Sequence, residues 1–208
     1  MLGALVETKF GYKISFFNHS KTATEVMKLG GGVGGMQILV QDYKKFLKRF
    51  TYLPLSHPVI LLVDNDTTKI LDAIKTTFGI TIALTSAAPF YHLCHNLYLI
   101  KTPELSPTGI SCIEDSFDPS VLKVVVGGKT FNPAKEIDTT KEYGKIVLAE
   151  KVVRPNASTI DFTKFAGILD RIVAVMKDYK PPPAMVSVAP TSSVSASPLL
   201  RYLKMPPI

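Results

Sequence analysis

The chain has no tryptophan and only two cysteines among its 208 residues. Cys94 and Cys112 lie in apolar stretches and match no metal-ligand spacing, so we expect reduced thiols in a cytoplasmic protein rather than a disulfide. No apolar run approaches the roughly 18 residues that a membrane-spanning helix requires. Two cysteines are too few for a disulfide-stapled scaffold, and the lack of a long apolar run predicts that the protein has no membrane partner.

Acidic residues are scarce relative to basic ones. The chain has 24 lysines and arginines against 17 aspartates and glutamates, which gives a formal net charge of +7. A basic excess attracts polyanions and speeds their encounter with the protein. Lys44, Lys48 and Arg49 share the polar face of a predicted helix, where they either guide a polyanion or are solvated. The charge therefore suits a nucleic-acid partner, although an ordinary basic protein without one has the same composition.

The most informative motif is a short apolar run that ends in two acids, PVILLVDND at Pro58–Asp66. Buried strands of parallel sheets are continuously apolar, and ligands of α/β sheets gather at the carboxyl ends of such strands. Asp64 and Asp66 are two residues apart, so both side chains leave the strand on the same side. Paired carboxylates favour a divalent cation, Mg²⁺ (or Mn²⁺), and hence metal-assisted phosphoryl chemistry. The alternative is that the acids end the strand in a solvated turn.

Two further acids and a lysine are candidates for the same site. Glu114 and Asp115 lie near a predicted strand–helix junction. They either complete the first metal site or build a second one, or they stabilise a helix N-terminus through its dipole. Lys145 begins a predicted helix, and it either neutralises transition-state charge on a phosphate or is an ordinary solvated lysine.

A glycine-rich loop, Gly30–Gly35, precedes a predicted amphipathic helix. Glycines let backbone N–H groups approach an anion closely, and the helix directs the positive end of its dipole toward a phosphate. The candidate phosphate-binding residues are Gly30, Gly31 and Gly32. Their spacing matches neither of the common glycine motifs for phosphate, so a flexible turn is the alternative.

Apolar periodicity predicts an alternation of strands and helices along most of the chain. The predicted strands are Lys13–Phe17, Val59–Val63, Ile80–Leu84 and Leu97–Ile100. The predicted helices are the one after Gly35, Thr67–Thr77, Asp118–Val126, Lys145–Val153 and Phe165–Tyr179. This alternation is typical of an α/β fold with a parallel sheet. We expect one domain over residues 1–180 and a disordered Pro- and Ser-rich tail over residues 181–208.

The order of these motifs resembles that of a known family. The parts of the likeness are LGGG (Leu29–Gly32), PVILLVDND (Pro58–Asp66), HNLYLIKTP (His95–Pro103), CIEDSF (Cys112–Phe117), GK (Gly144-Lys145) and IDFTKFAGILDRI (Ile160–Ile172). This set is similar to the C-terminal TOPRIM nuclease domain fused to certain bacterial retron reverse transcriptases. It is more distantly similar to the TOPRIM domains of overcoming-lysogenization-defect nucleases. The likeness covers about residues 10–179.

The resemblance implies a TOPRIM-like Rossmannoid parallel sheet flanked by helices, and Mg²⁺-dependent cleavage of phosphodiesters in DNA or RNA. It also implies a toxic effector in phage defence, with the reverse transcriptase and its RNA–DNA product as partners. By position, it assigns metal binding to Asp64 and Asp66, a second acidic motif to Glu114 and Asp115, transition-state stabilisation to Lys145, and the glycine turn to Gly30–Gly32.

One departure from the family pattern bears on activity. The family's first motif, a glutamate at the end of the first strand, is missing, so we expect an N-terminally truncated domain that lacks this strand. No Y-x-D-D polymerase motif is present either, and the chain would be the C-terminal part of any reverse transcriptase. The alternative to a nuclease is therefore a catalytically incomplete module that binds nucleic acid or a protein partner. Nucleotidyl transfer, as in primases, is a third option.

Overall fold

The computed structural model describes residues 32–49, 55–66, 68–104 and 107–182, together with positions 14 and 25. The predicted strand Lys13–Phe17, apart from Ile14, lies outside the described residues. The predicted tail, apart from its first two residues, also lies outside them. Within the described ranges, no helix is long and apolar enough to cross a membrane.

The described residues form a mixed α/β fold. Its α-helices are α1 (Gly32–Arg49), α2 (Lys69–Phe78), α3 (Pro119–Leu122), α4 (Lys145–Val147) and α5 (Ala166–Asp178). Its strands are β1 (Val59–Val63), β2 (Tyr91–Cys94), β3 (Leu97–Lys101), β4 (Thr130–Phe131) and β5 (Glu142–Tyr143). The remaining helical segments are two 3₁₀ helices, Ile113–Ser116 and Thr163–Phe165, and a π-helix, Leu148–Val153.

The central sheet has three strands in the order β1–β3–β2. β1 and β3 are parallel, with Leu61 opposite Leu99, and α2 lies in the connection between them. β2 and β3 form an antiparallel hairpin that turns at His95, which has a positive φ of 48°. So short a turn permits only an antiparallel pair, since parallel strands need a long crossover. The sheet is therefore mixed, and the prediction of a parallel sheet is wrong for β2. β4 and β5 pair separately, in parallel.

Helices cover both faces of the central sheet. One face packs on α1 and α2 and the other on α5, because strand side chains alternate between the two faces. The sheet residues on the first face include Leu61, Val63, Leu97 and Leu99. Those on the second face include Ile60, Leu62, Tyr98 and Ile100. All five residues of β3 are buried, as expected for the inner strand of a covered sheet.

Most predicted elements are confirmed with altered ends. β1 has the predicted bounds, and α2 and α5 lie where periodicity predicts helices. The helix predicted over Asp118–Val126 begins as expected, because the Asp118 side chain accepts a hydrogen bond from the backbone N–H of Ser120. It ends early, at Leu122. The helix predicted over Lys145–Val153 forms as α4 followed by the π-helix.

The predicted strand Ile80–Leu84 is wrong, because this segment joins neither sheet. The carbonyls of Ala83 and Leu84 instead accept hydrogen bonds from Lys101 Nζ, both at 2.9 Å. The Lys101 side chain is fully buried, and its ammonium group also faces Glu104 Oε1 at 3.3 Å. A buried charge requires such partners, so the segment turns its carbonyl groups toward the end of β3.

Arg171 completes this buried ion cluster from α5. Its guanidinium donates to Glu104 Oε2 at 2.5 Å and to the backbone carbonyls of Lys101 and Thr102 at 2.9 and 3.3 Å. Burial alone would raise the pKa of Glu104, but the hydrogen bond and charge of Arg171 hold it below its ordinary value. The cluster fixes the chain as it leaves β3 toward the candidate site.

Gly109 lets the segment after β3 approach Leu84 closely. Its φ is +79°, and a Cβ at this position would lie 2.5 Å from the carbonyl oxygen of Leu84. The carbonyl of Gly109 also accepts a hydrogen bond from the buried side chain of Asn65. The fold therefore requires glycine here both for its backbone conformation and for lack of space.

We expect Gly109→Ala to lower the free energy of unfolding more than Gly79→Ala does. Gly79 has a similar φ of +73°, but a Cβ added there would meet nothing within 4 Å, so it is the matched control. A left-handed conformation costs alanine roughly 1–2 kcal/mol at either site, and the backbone clash adds about 1–3 kcal/mol at position 109. Urea unfolding measures both losses, and equal losses would contradict the close approach.

Candidate functional site

Asn65 ties the end of β1 to the segment that follows β3. Its backbone N–H donates to the carbonyl of Ser111 at 2.8 Å, and its carbonyl accepts from the N–H of Ser111 at 3.3 Å. Thr102 Oγ1 lies 2.9 Å from the same N–H of Asn65 and 2.7 Å from Ser111 Oγ. All three residues are buried. This Asn65–Ser111 bridge therefore joins both parallel strands at their carboxyl ends.

The side chain of Asn65 points into the protein, and the acids on either side of it are more exposed. Its amide nitrogen donates to the carbonyl of Leu84 at 2.8 Å and to that of Gly109. Asp64 is half-buried and accepts a hydrogen bond from the backbone N–H of Ile113, whereas Asp66 is exposed in the turn that follows. The common side predicted for the two acids stays a prediction.

Three charged side chains from three segments meet at this edge of the sheet. Lys145 Nζ, from α4, lies 2.9 Å from Glu114 Oε2 in the first 3₁₀ helix. The same nitrogen lies 3.8 Å from Asp64 Oδ2 at the end of β1. The other oxygen of Asp64, Oδ1, accepts a hydrogen bond of 2.9 Å from the backbone N–H of Ile113. One ammonium group thus lies between two carboxylates, and we call Asp64, Glu114 and Lys145 the acid–lysine site.

The acid–lysine site opens toward solvent on the lysine side. The side chains of Glu114, Asp64 and Lys145 are 9%, 29% and 43% exposed, respectively. A carboxylate as buried as that of Glu114 needs a cationic partner, because an unpaired buried charge is very costly. Because Lys145 and Asp64 are the more exposed, a ligand can approach them from solvent, whereas the buried Glu114 forms the floor of the site.

Burial and charge perturb the protonation of this site. Burial raises the pKa of Asp64, and the negative charges of Glu114 and Asp66 act in the same direction. The Ile113 N–H and the Lys145 charge oppose this rise without cancelling it. Burial tends to lower the pKa of Lys145, but the hydrogen bond and charge of Glu114 outweigh it and raise that pKa. Lys145 is therefore held in its charged form.

Asp115 does not join the acid–lysine site. Its carboxylate oxygen Oδ2 accepts a hydrogen bond of 2.7 Å from the backbone N–H of Cys112, at the start of the 3₁₀ helix. Asp115 therefore caps this helix, as the alternative to metal ligation predicts. Asp115 is exposed, whereas neighbouring Glu114 is buried and pairs with Lys145.

The glycine segment is helical earlier than predicted. α1 begins at Gly32, so Gly34 and Gly35 lie in its first turn rather than in a loop. Gly30 and Gly31 lie outside the described residues. The phosphate-binding role of Gly30, Gly31 and Gly32 therefore stays a prediction.

The donor set of the acid–lysine site suits a hard divalent cation. Among the described residues, no group of three or more His, Cys, Asp or Glu side chains is placed to hold a metal ion. Mg²⁺ commonly uses only one or two carboxylates and keeps several water molecules. Asp64 and Glu114 supply two carboxylates around the position that the Lys145 ammonium group occupies. The residues present therefore fit Mg²⁺.

Asn65 is a site residue that the sequence patterns did not predict, although it stands in the middle of the two-acid motif. Strand alternation contains the signal, because a residue between two outward-facing acids must face inward. Thr102 and Ser111 were missed as well. Their role depends on a backbone pairing between distant segments, for which the sequence has no local pattern.

No protein-family model matches the chain, and no solved structure matches it. The likeness to TOPRIM nucleases therefore rests on the quoted motifs alone.

We expect Lys145→Met to raise the pKa of Asp64 further and Asp66→Asn to lower it. The positive charge of Lys145 lowers that pKa, and the negative charge of Asp66 raises it. Titration of the carboxyl carbon of Asp64 by NMR measures both shifts. Lys123→Met is the matched control, because Lys123 is exposed and does not act on Asp64. Shifts of the wrong sign, or equal shifts in the control, would contradict the charge coupling.

The same coupling has a consequence for stability. Because the folded-state pKa of Asp64 is raised, folding favours the protonated carboxyl. Stability from this group is present below its unfolded pKa and is lost as the pH rises through the folded pKa. We expect Asp64→Asn to remove this part of the pH dependence of unfolding, measured by urea titrations across the acidic range. An unchanged dependence would contradict the assignment.

Proposed function

We propose that this chain contains a TOPRIM-like, Mg²⁺-dependent phosphodiesterase domain that cleaves nucleic acid. The observation that carries the proposal is the meeting of Asp64, Glu114 and Lys145 at the carboxyl edge of the sheet. Two carboxylates and one ammonium group from separate segments are what a site for a divalent cation and a phosphate requires. The net charge of +7 supports a polyanionic substrate.

The two carboxylates would hold the ion. The Ile113 N–H takes up Asp64 Oδ1, so the oxygen that would bind the ion is Oδ2, which lies 3.8 Å from Lys145 Nζ. Glu114 lies across the same cation position, with Asp66 as a further oxygen donor in the adjoining turn. When bound, Mg²⁺ polarises a phosphoryl oxygen and activates water.

The side chains of the site divide the remaining work among them. The Ile113 N–H fixes the orientation of Asp64, so the free oxygen keeps one direction without reorganisation. Glu114 holds the ammonium group of Lys145 from the buried side when no ion is bound. When an ion takes the position between the two carboxylates, Lys145 would turn to the phosphate and neutralise the negative charge that develops there. The active form has a charged carboxylate at Asp64 and a charged ammonium group at Lys145. Because both pKa values are raised, protonation of Asp64 in acid removes this form at a smaller change from neutral pH than deprotonation of Lys145 in alkali does.

The biological setting follows the motif likeness. We propose that the domain acts in the cytoplasm as a toxic effector of a retron reverse transcriptase in phage defence. The reverse transcriptase and its RNA–DNA product would be its controlling partners. The order of the glycine segment, the two-acid strand end and the later acid and lysine supports this assignment.

We expect Asp64→Asn, Glu114→Gln and Lys145→Met each to reduce Mg²⁺-dependent cleavage by on the order of a hundredfold or more, as for other removals of a group that stabilises the transition state. The measurement is the rate of cleavage of plasmid DNA and of RNA. Asp72→Asn is the matched control, because Asp72 is an exposed carboxylate on α2 outside the site. Chelation of divalent ions should abolish cleavage by every variant.

Equal cleavage by the parent chain and Asp64→Asn would remove the proposed site. A second candidate function is a binding module without catalysis. One observation favours it: Lys145 already pairs with both carboxylates, so neither lacks a cationic partner when no metal is bound. Retained nucleic-acid binding with no cleavage in Mg²⁺ or Mn²⁺ would support that module.

A further inference from the structure

An open cleft of about 460 Å³ adjoins the acid–lysine site. Glu114 and Lys145 form one end of it, so the cleft begins where the proposed chemistry takes place. Most of its wall is apolar and includes Ile113, Val153 and Ala157. A cleft of this volume, with apolar walls and a few convergent polar groups, has the character of a small-molecule site.

Three phenylalanines form an aromatic cluster in the cleft wall. Phe117, Phe162 and Phe165 all line the cleft, and their ring centroids are 4.9 to 6.0 Å apart. Phe165 is buried, whereas Phe117 and Phe162 are partly exposed. Their positions are fixed by edge-to-face and tilted packing. The cleft thus offers a preformed aromatic surface to a flat ligand.

A further part of the cleft lining comes from a π-helix, a rare backbone form that is frequent at functional sites. The backbone N–H of Arg154 donates to the carbonyl of Ala149, five residues earlier, at 2.9 Å. Both of these residues line the cleft. The π-helical turn therefore brings Ala149, which has a small side chain, and the cationic Arg154 to the cleft that the phenylalanines also line.

The chemistry of the cleft selects among flat or apolar ligands. A hydrocarbon would match the walls but not the charged ends formed by Glu114, Lys145 and Arg154. A nucleotide matches both, because its base has apolar faces and polar edges and its phosphate is anionic. Bases stack on aromatic side chains with little sequence preference. Within a duplex, however, a base must first leave its stack, which costs energy.

We propose that this cleft binds an unpaired nucleobase beside the phosphodiester at the acid–lysine site, which makes single-stranded nucleic acid the substrate class. The inference rests on the proposed phosphodiesterase function for the position of the phosphate. The base stacks against Phe117 and Phe162 and lies opposite Ala149. Arg154, whose side chain is 75% exposed and pairs with Glu150 at 2.6 Å, faces the backbone of the strand.

The test measures binding without cleavage. The full chain is titrated, in EDTA, with three fluorescent oligonucleotides of equal length: a single strand, the same strand made of abasic units, and a blunt duplex. We expect the single strand to bind at least tenfold more tightly than either of the others at near-physiological salt, where purely electrostatic binding is weakened. A 2-aminopurine in the single strand should change its emission on binding. Equal affinity for single strand and abasic strand would overturn the proposal.

A filled cleft provides the matched variant. Ala149→Trp should fill the cleft and reduce single-strand affinity about tenfold, to that of the abasic strand. Ala134→Trp, at an exposed alanine outside the cleft, should leave the affinity unchanged. Unchanged affinity in a folded Ala149→Trp chain would overturn the proposal. If this variant does not fold, the comparison of the normal and abasic strands still tests the proposal, because it uses the unaltered chain.

This titration, together with the cleavage assay in Mg²⁺, separates base binding in the cleft from the proposed activity. Base-dependent binding in a chain that never cleaves would support the cleft and remove the phosphodiesterase. Mg²⁺-dependent cleavage by a chain that binds abasic and normal strands equally would overturn the cleft and leave the phosphodiesterase standing.

Discussion

The backbone pairing between Asn65 and Ser111 is the constraint on which the candidate site depends. It brings the end of β1 against the segment after β3, so the carboxylate of Asp64 meets the N–H of Ile113. Glu114 follows in the same 3₁₀ helix. The buried amide of Asn65 stabilises this junction because its nitrogen donates to two carbonyl groups, and a buried donor left unpaired would be costly. Gly109 makes the arrangement possible by leaving room beside Leu84.

Two clusters of charged side chains lie beyond this bridge, and they differ in how far they are exposed to solvent. Lys101 and Arg171 are buried and both pair with Glu104, and these ion pairs hold the chain that leaves β3. Asp64, Glu114 and Lys145 lie at the rim, where the lysine side chain is partly exposed to solvent. The first cluster therefore maintains the shape of the sheet edge. The second has both the accessibility and the perturbed pKa values that are typical of functional sites.

Local patterns predict much of this fold but not the contacts that build the site. The apolar patterns of the sequence predict β1, α2 and α5, because each of these elements buries the apolar residues that form its pattern. Ile80–Leu84 has an equally apolar pattern, yet it forms no strand because buried Lys101 requires its carbonyl groups. Lys101 and Arg171 occupy core positions of apolar segments. A charged residue at such a position indicates, from sequence alone, that a buried ion cluster will form. The choice of Glu114 over Asp115 depends on the cap at Cys112, which only the three-dimensional structure defines.

The most direct test of the acid–lysine site is a crystal structure of the chain soaked in Mn²⁺, with anomalous scattering measured from the metal. We expect one peak within about 2.5 Å of carboxylate oxygens of both Asp64 and Glu114, a distance ordinary for hard cations. Lys145 should then move off the position between them. Saturating Mn²⁺ that leaves the Lys145–Glu114 pair intact, with no peak near these two acids, would contradict a metal site here.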